Sequence, residues 1–168
     1  ASSTADRVLK DGEVLQLGCQ EWTVLHTPGH HPEHLCLISN SGLVAGDMVA
    51  GIGTILIPPG EGDMMTYISQ LERLLDQDPH LIFPSHGPVI PLPSRTLEHY
   101  IRHRSIRHDK VLAAVEEGYS NLEEIAKVAY EDTPDAHPGL AVDQTLSHLL
   151  SHEKNGNVKR VDDGWVRA

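Results

Sequence analysis

Three residues with ligand chemistry stand just beyond short apolar runs, each flanked by glycine or proline. His30 follows Thr27-Pro28-Gly29, Asp47 follows Gly46, and His86 lies between Pro84-Ser85 and Gly87. Neutral imidazole and carboxylate form a good ligand set for zinc, and equally for manganese or iron. The neighbouring glycines and prolines let the backbone turn sharply enough to aim the three side chains at one point. With 12 histidines in 168 residues, a metal site is the first chemistry to test.

The apolar runs that carry these residues read as strands. Val14–Leu17 and Trp22–Leu25 form one pair, with Gly18 near the turn. Leu35–Ile38 and Leu43–Ala45 form a hairpin around Ser39–Gly42, and Leu81-Ile82-Phe83 is a short strand stopped by Pro84. Between the last two strands, Met64, Tyr67, Ile68, Leu71, Leu74 and Leu75 recur at helical spacing, so one helix face packs on a core. Beyond the prolines at 88, 91 and 93 the pattern turns helical. A helix is expected over Thr96–Glu117, a second after the capping pattern Ser120-Asn121-Leu122-Glu123, and a third over Leu140–Lys154 with Asn155-Gly156 as its stop. Val158–Val161 and Trp165–Arg167 flank Asp162-Asp163-Gly164 as a small hairpin, and three helices closed by a hairpin is the order of a winged helix. The expected fold class is α+β, in two domains over residues 1–94 and 95–168.

Composition narrows the function classes. The chain has 13 Lys+Arg against 24 Asp+Glu, a net charge of -11 that discourages non-specific nucleic-acid binding. No apolar run is long enough for a membrane span, and Ala1-Ser2-Ser3-Thr4 does not read as a signal peptide. Two cysteines, Cys19 and Cys36, are too few for a disulfide framework and read as small buried hydrophobes, which suggests a reducing, cytoplasmic setting. His26 and His31 read as surface or supporting residues. His99 and His103, like His148 and His152, lie four apart on helices without the Glu of a His-Glu-x-x-His site, so solvent-facing or packing roles are expected. The run Arg102, Arg104, Arg107 and Lys110 reads as a solvated helix face, with Arg102 and Arg104 as weak candidates for touching nucleic acid.

Thr27-Pro28-Gly29-His30, Gly46-Asp47 and Ser85-His86-Gly87, in that order and at strand ends, resemble the last three metal motifs of the metallo-β-lactamase superfamily. The segment from Tyr100 onward resembles the winged-helix domain that follows the hydrolase domain in one branch of that superfamily. The resemblance implies a dinuclear zinc hydrolase in which His30 binds one metal, Asp47 bridges and His86 binds the second. A metal-activated hydroxide would then attack a small ester, thioester or lactone. Each ligand imidazole needs its other nitrogen held, and Thr27 and His34 are candidates for that task. The superfamily's leading His-x-His-x-Asp-His motif does not occur in the sequence. The chain is therefore expected to be the C-terminal half of an αββα sandwich plus the winged helix, inactive alone. Its exposed apolar half-interface would meet the missing N-terminal half or a second copy. Two other readings are a metal-dependent endoribonuclease acting on RNA, and a non-catalytic module that binds a partner.

Overall fold

All three candidate ligands lie beyond strands that run in the same direction in one sheet. The computed structural model describes residues 7–162 and 164–168; the Ala1–Thr4 stretch and Asp163 of the expected turn lie outside them. Five strands, β1 (Val14–Leu17), β2 (Gln20–His26), β3 (Leu35–Ser39), β4 (Gly42–Gly46) and β5 (Ile82–Pro84), form a sheet in sequence order. The first three pairings are antiparallel and β4–β5 is parallel. It follows that β2, β4 and β5 are mutually parallel, and the loops after them leave from one edge of the sheet. Those loops carry His30, Asp47 and His86.

Helix α1 (Met64–Asp76) makes the crossover between the parallel strands β4 and β5, as such a connection requires. Asp63 caps it, its carboxylate accepting from the Thr66 amide at 2.8 Å. The apolar stripe of α1, Met64, Tyr67, Ile68, Leu71 and Leu74, packs on one face of the sheet with Leu25, Cys36, Leu43, Ala45 and Ile82. Pairing register places Trp22, Val24, Leu37, Val44 and Phe83 on alternate positions, facing the other way. Val24 is fully buried there, Trp22, Leu37 and Phe83 are partly buried, and Val44 is 39% exposed.

Helix α2 (Pro93–Glu116) starts three residues before the expected Thr96, and α4 (Pro138–Lys154) two before Leu140. In both cases a proline opens the first turn, where its missing N–H costs nothing and its φ already suits a helix. The expected boundary at 94/95 falls in the first turn of α2. Leu97 and Tyr100 at the front of that helix belong to the sheet core. Val111, Ala114 and Val115 at its end belong to a second core with Ile125 and Ala129 of α3 (Leu122–Ala129), Leu149 of α4, and Val158 and Trp165. The hairpin β6 (Val158–Val161) and β7 (Gly164–Arg167) closes this second core.

The cap of α3 is one residue later than the Ser120 pattern suggests. Asn121 caps it, its side-chain oxygen accepting from the amides of Glu123 and Glu124 at 3.0 and 3.2 Å. The Ser120 carbonyl instead accepts from the Trp165 amide of β7 at 2.9 Å. Cys36 is buried as expected, whereas Cys19 is exposed in the tight β1–β2 turn. Among the described residues no helix is long and apolar enough to cross a membrane.

Candidate metal centre

His30 lies in the bend after β2, and its Nδ1 sits 2.7 Å from the Leu56 carbonyl oxygen. A carbonyl only accepts, so Nδ1 carries the hydrogen and Nε2 presents its lone pair. That Nε2 is 3.7 Å from Asp47 Oδ2, and His86 Nε2 is 3.3 Å from Asp47 Oδ1. One carboxylate thus has an imidazole nitrogen opposite each of its oxygens, the arrangement a bridging carboxylate takes. Asp47 Oδ1 is buried and accepts no hydrogen bond, an orphaned anionic lone pair that a bound cation would satisfy. Among the described residues no three His, Cys, Asp or Glu side chains gather around a single point as a metal cage; the three form two pairs sharing Asp47.

Behind Asp47 runs a buried chain of hydrogen bonds. The Asp47 amide donates to His34 Nε2 at 3.0 Å, so the His34 hydrogen is on Nδ1, which donates to Thr27 Oγ1 at 2.8 Å. The Thr27 hydroxyl lies 3.3 Å from Cys36 Sγ, whose thiol reaches the Ala45 carbonyl at 3.4 Å. Burial, reinforced by the nearby His30, holds the His34 pKa below its ordinary value, so the ring stays neutral. Burial also raises the Cys36 thiol to about 11, which keeps it protonated as a donor. Thr27 and His34 therefore fix the backbone at Asp47. Neither holds the second nitrogen of His30, the task expected for them; that falls to the Leu56 carbonyl, which no motif in the sequence marks.

Two glycines make the close packing here possible. At Gly46 (φ +53°) a Cβ would sit 2.5 Å from His34 Nε2, and at Gly29 (φ +136°) one would sit 2.4 Å from the Tyr67 Cα. Gly46→Ala is expected to push His34 off the Asp47 amide and to cost about 1–3 kcal/mol in backbone strain. Urea denaturation checks this, and an unchanged midpoint would show that the close approach is not needed.

The arginine run does not form the expected solvated face. Arg102 is exposed, but Arg104 and Arg107 are 2% and 3% exposed, on the same inward stripe of α2 as Leu97, Tyr100 and Val111. Arg107 donates to Asp132 Oδ1 and Thr133 Oγ1, both at 2.9 Å, and stacks over the Tyr130 ring. Arg104 donates to Gln144 and to the loop after β4. Buried and paired in this way, Arg104 is out of reach of a nucleic acid. Reading the 3–4 spacing of α2 through its charged positions would have found this.

The sequence model described as "Metallo-beta-lactamase superfamily" matches residues 3–86. The chain belongs to the metallo-β-lactamase superfamily. It is 37% identical over 140 residues to the beta-lactamase-like protein 2 homolog of Drosophila melanogaster, covering 81% of this chain and 47% of that protein. It is 25% identical to the atrochrysone carboxyl ACP thioesterase AgnL7 of Paecilomyces divaricatus, covering 95% of this chain and 51% of that one. The crystal structure of a beta-lactamase domain protein from Burkholderia ambifaria superposes with a TM-score of 0.85 at 26% identity, covering all of this chain and 54% of that one. This superfamily member thus spans about half the length of the curated relatives it matches.

Proposed function

We propose that this chain is the C-terminal half of a dinuclear zinc hydrolase that cleaves a small thioester, ester or lactone. The observation that carries the reading is Asp47, with an imidazole opposite each oxygen and a buried Oδ1 that nothing else satisfies. His30 and Asp47 would hold one ion, and Asp47 and His86 the other. When bound, two such ions lower the pKa of water toward neutrality and stabilise negative charge developing on an attacked carbonyl. The chain's own part is orientation. The Leu56 carbonyl keeps the His30 Nε2 lone pair turned toward Asp47, and His34 holds the Asp47 backbone from behind. The thioesterase relative supports a thioester as first choice of substrate.

The remaining ligands would come from a preceding half, absent from this chain, that covers the sheet face of Trp22, Leu37, Val44 and Phe83. The segment from Pro93 onward would act as a winged helix that shapes the cleft. Over residues 96–168 it carries nine Lys+Arg against thirteen Asp+Glu, the wrong balance for a DNA reader. A cytoplasmic setting fits the two free cysteines.

The test is turnover by the protein carrying both halves, offered short acyl thioesters, oxoesters, lactones and single-stranded RNA. Thioester hydrolysis that EDTA stops and added zinc restores is expected. RNA cleavage with intact esters would transfer the reading to an endoribonuclease, and no turnover of any of them to a partner-binding module.

A further inference from the structure

The Leu56 carbonyl that orients His30 lies in the long connection between β4 and α1, outside any helix or strand. No regular ladder fixes the plane of its peptide. We propose that Gln144 of α4 is the positioning residue for His30, acting through the Leu56–Ile57 peptide; this rests on His30 being a metal ligand.

The geometry is a relay across one rigid plane. In a trans peptide the C=O and N–H point to opposite sides. Here the C=O of Leu56 takes the His30 Nδ1 hydrogen at 2.7 Å, and the N–H of Ile57 donates to Gln144 Oε1 at 3.3 Å. Gln144 also grips the next peptide, its Nε2 donating to the Ile57 carbonyl at 3.0 Å, where Ser147 Oγ donates as well at 2.7 Å. The amide cannot flip, because Arg104 donates to Gln144 Oε1 at 2.6 Å and an arginine has only donors to offer. Arg104 donates in addition to Thr54 Oγ1 at 2.8 Å and to the Ile55 carbonyl. All three gripping side chains are buried, Gln144 at 6%, Ser147 at 4% and Arg104 at 2% exposure.

Three buried polar side chains from α2 and α4 thus converge on one short stretch of main chain whose other side is hydrogen-bonded to the imidazole. If that peptide plane rotates, His30 loses the acceptor for Nδ1–H. The hydrogen is then free to move to Nε2, where it would block the lone pair facing Asp47. The C-terminal helical segment would in this way control ligand orientation at a site to which it contributes no ligand.

Nitrogen-detected NMR of the imidazoles in the metal-free chain, at mildly alkaline pH, reads the tautomer directly; competition with a chelating dye reads affinity for Zn²⁺ alone. The parent is expected to hold His30 as the Nδ1–H tautomer. Gln144→Leu is expected to mix the tautomers and weaken Zn²⁺ binding about tenfold or more. Gln144→Glu, which keeps an oxygen toward Ile57 N–H and Arg104, is expected to preserve the His30 tautomer. An unchanged tautomer in Gln144→Leu overturns the proposal, as does an equal loss in both variants, which would mark Gln144 as merely structural. Ser147→Ala removes one of two donors to the Ile57 carbonyl. It should give a smaller shift in the same direction, so it decides the matter if Gln144→Leu does not fold. A tautomer change without Zn²⁺ binding by any form would support the positioning role while counting against the metal reading.

Discussion

Asp47→Ala is expected to abolish metal-supported hydrolysis by the protein carrying both halves, lowering kcat/KM at least about a thousandfold. Loss of a residue that merely orients a metal ligand costs about 10–100-fold, and Asp47 is proposed to touch both ions itself. The fold should survive the change. The contact that ties this position to the protein is its backbone amide donating to His34 Nε2, which alanine retains. Removing the carboxylate also relieves the buried, unpartnered Oδ1. The urea midpoint should therefore hold or rise while zinc stoichiometry falls. A variant that turns over within tenfold of the parent would remove Asp47 from the chemistry. Joint loss of fold and activity would make it a structural residue.

Acidification is expected to destabilise the second core steeply, because three imidazoles meet inside it. His108 Nδ1 lies 3.1 Å from His148 Nδ1, and the His108 and His152 rings stack with centroids 3.6 Å apart. His152 Nε2–H donates to the His108 carbonyl at 3.0 Å, leaving Nδ1 to face the Asn157 amide nitrogen at 3.2 Å. This network needs neutral rings. The paired Nδ1 atoms of His108 and His148 share one hydrogen, and charging both would set two N–H donors head to head. Burial is the main cause holding all three pKa values down, with His108 lowered to about 4. Arg104 and Arg107 add to the effect on His148. At His152, Arg167 opposes protonation while Asp109, Glu116 and the His108 carbonyl favour it.

The sign follows from where protons bind. Below the ordinary histidine value of 6.5, the unfolded chain takes up protons that the folded chain refuses. Stability is therefore fully present above 6.5 and falls as pH drops toward 4. His108, His148 and His152 all act in this direction, so their effects on stability reinforce one another across that window. Thermal unfolding followed by circular dichroism, at neutral pH and at about pH 5, checks this. His148→Phe, which fills the site without titrating, should flatten the dependence. Equal melting temperatures at the two pH values would mean that these rings are not buried neutral.

Local pattern in the chain is enough for the elements and for the three loops that carry His30, Asp47 and His86. Alternation and turn residues mark β1 to β5, helical spacing marks α1, and Asn155-Gly156 ends α4 as expected. His30, Asp47 and His86 stand out as candidates in the sequence because each sits where a strand stops beside glycine or proline. Their joint placement at one sheet edge follows from β2, β4 and β5 running parallel. Errors at the starts of α2, α3 and α4 come from near-equivalent local signals, a proline against the next polar residue, or Ser120 against Asn121. Packing settled the choice at Ser120, where Trp165 claims the carbonyl.

Where polar side chains spend their hydrogen bonds was decided by tertiary structure alone. Arg104 looks like a surface charge because charge signals exposure, and it is buried only because Gln144, some forty residues on, and the loop at Thr54–Ile55 supply acceptors for its donors. His148 and His152, four apart on α4 and expected to face solvent or to pack, do pack, and the ring they meet is His108 of another helix, which nothing local in the sequence names. The Leu56 carbonyl carries no side-chain signature at all. Periodicity along the chain determined which residues form strands and helices and which stand at their ends. The partner of a buried polar atom belongs to another element, and the sequence holds no local record of which elements will meet.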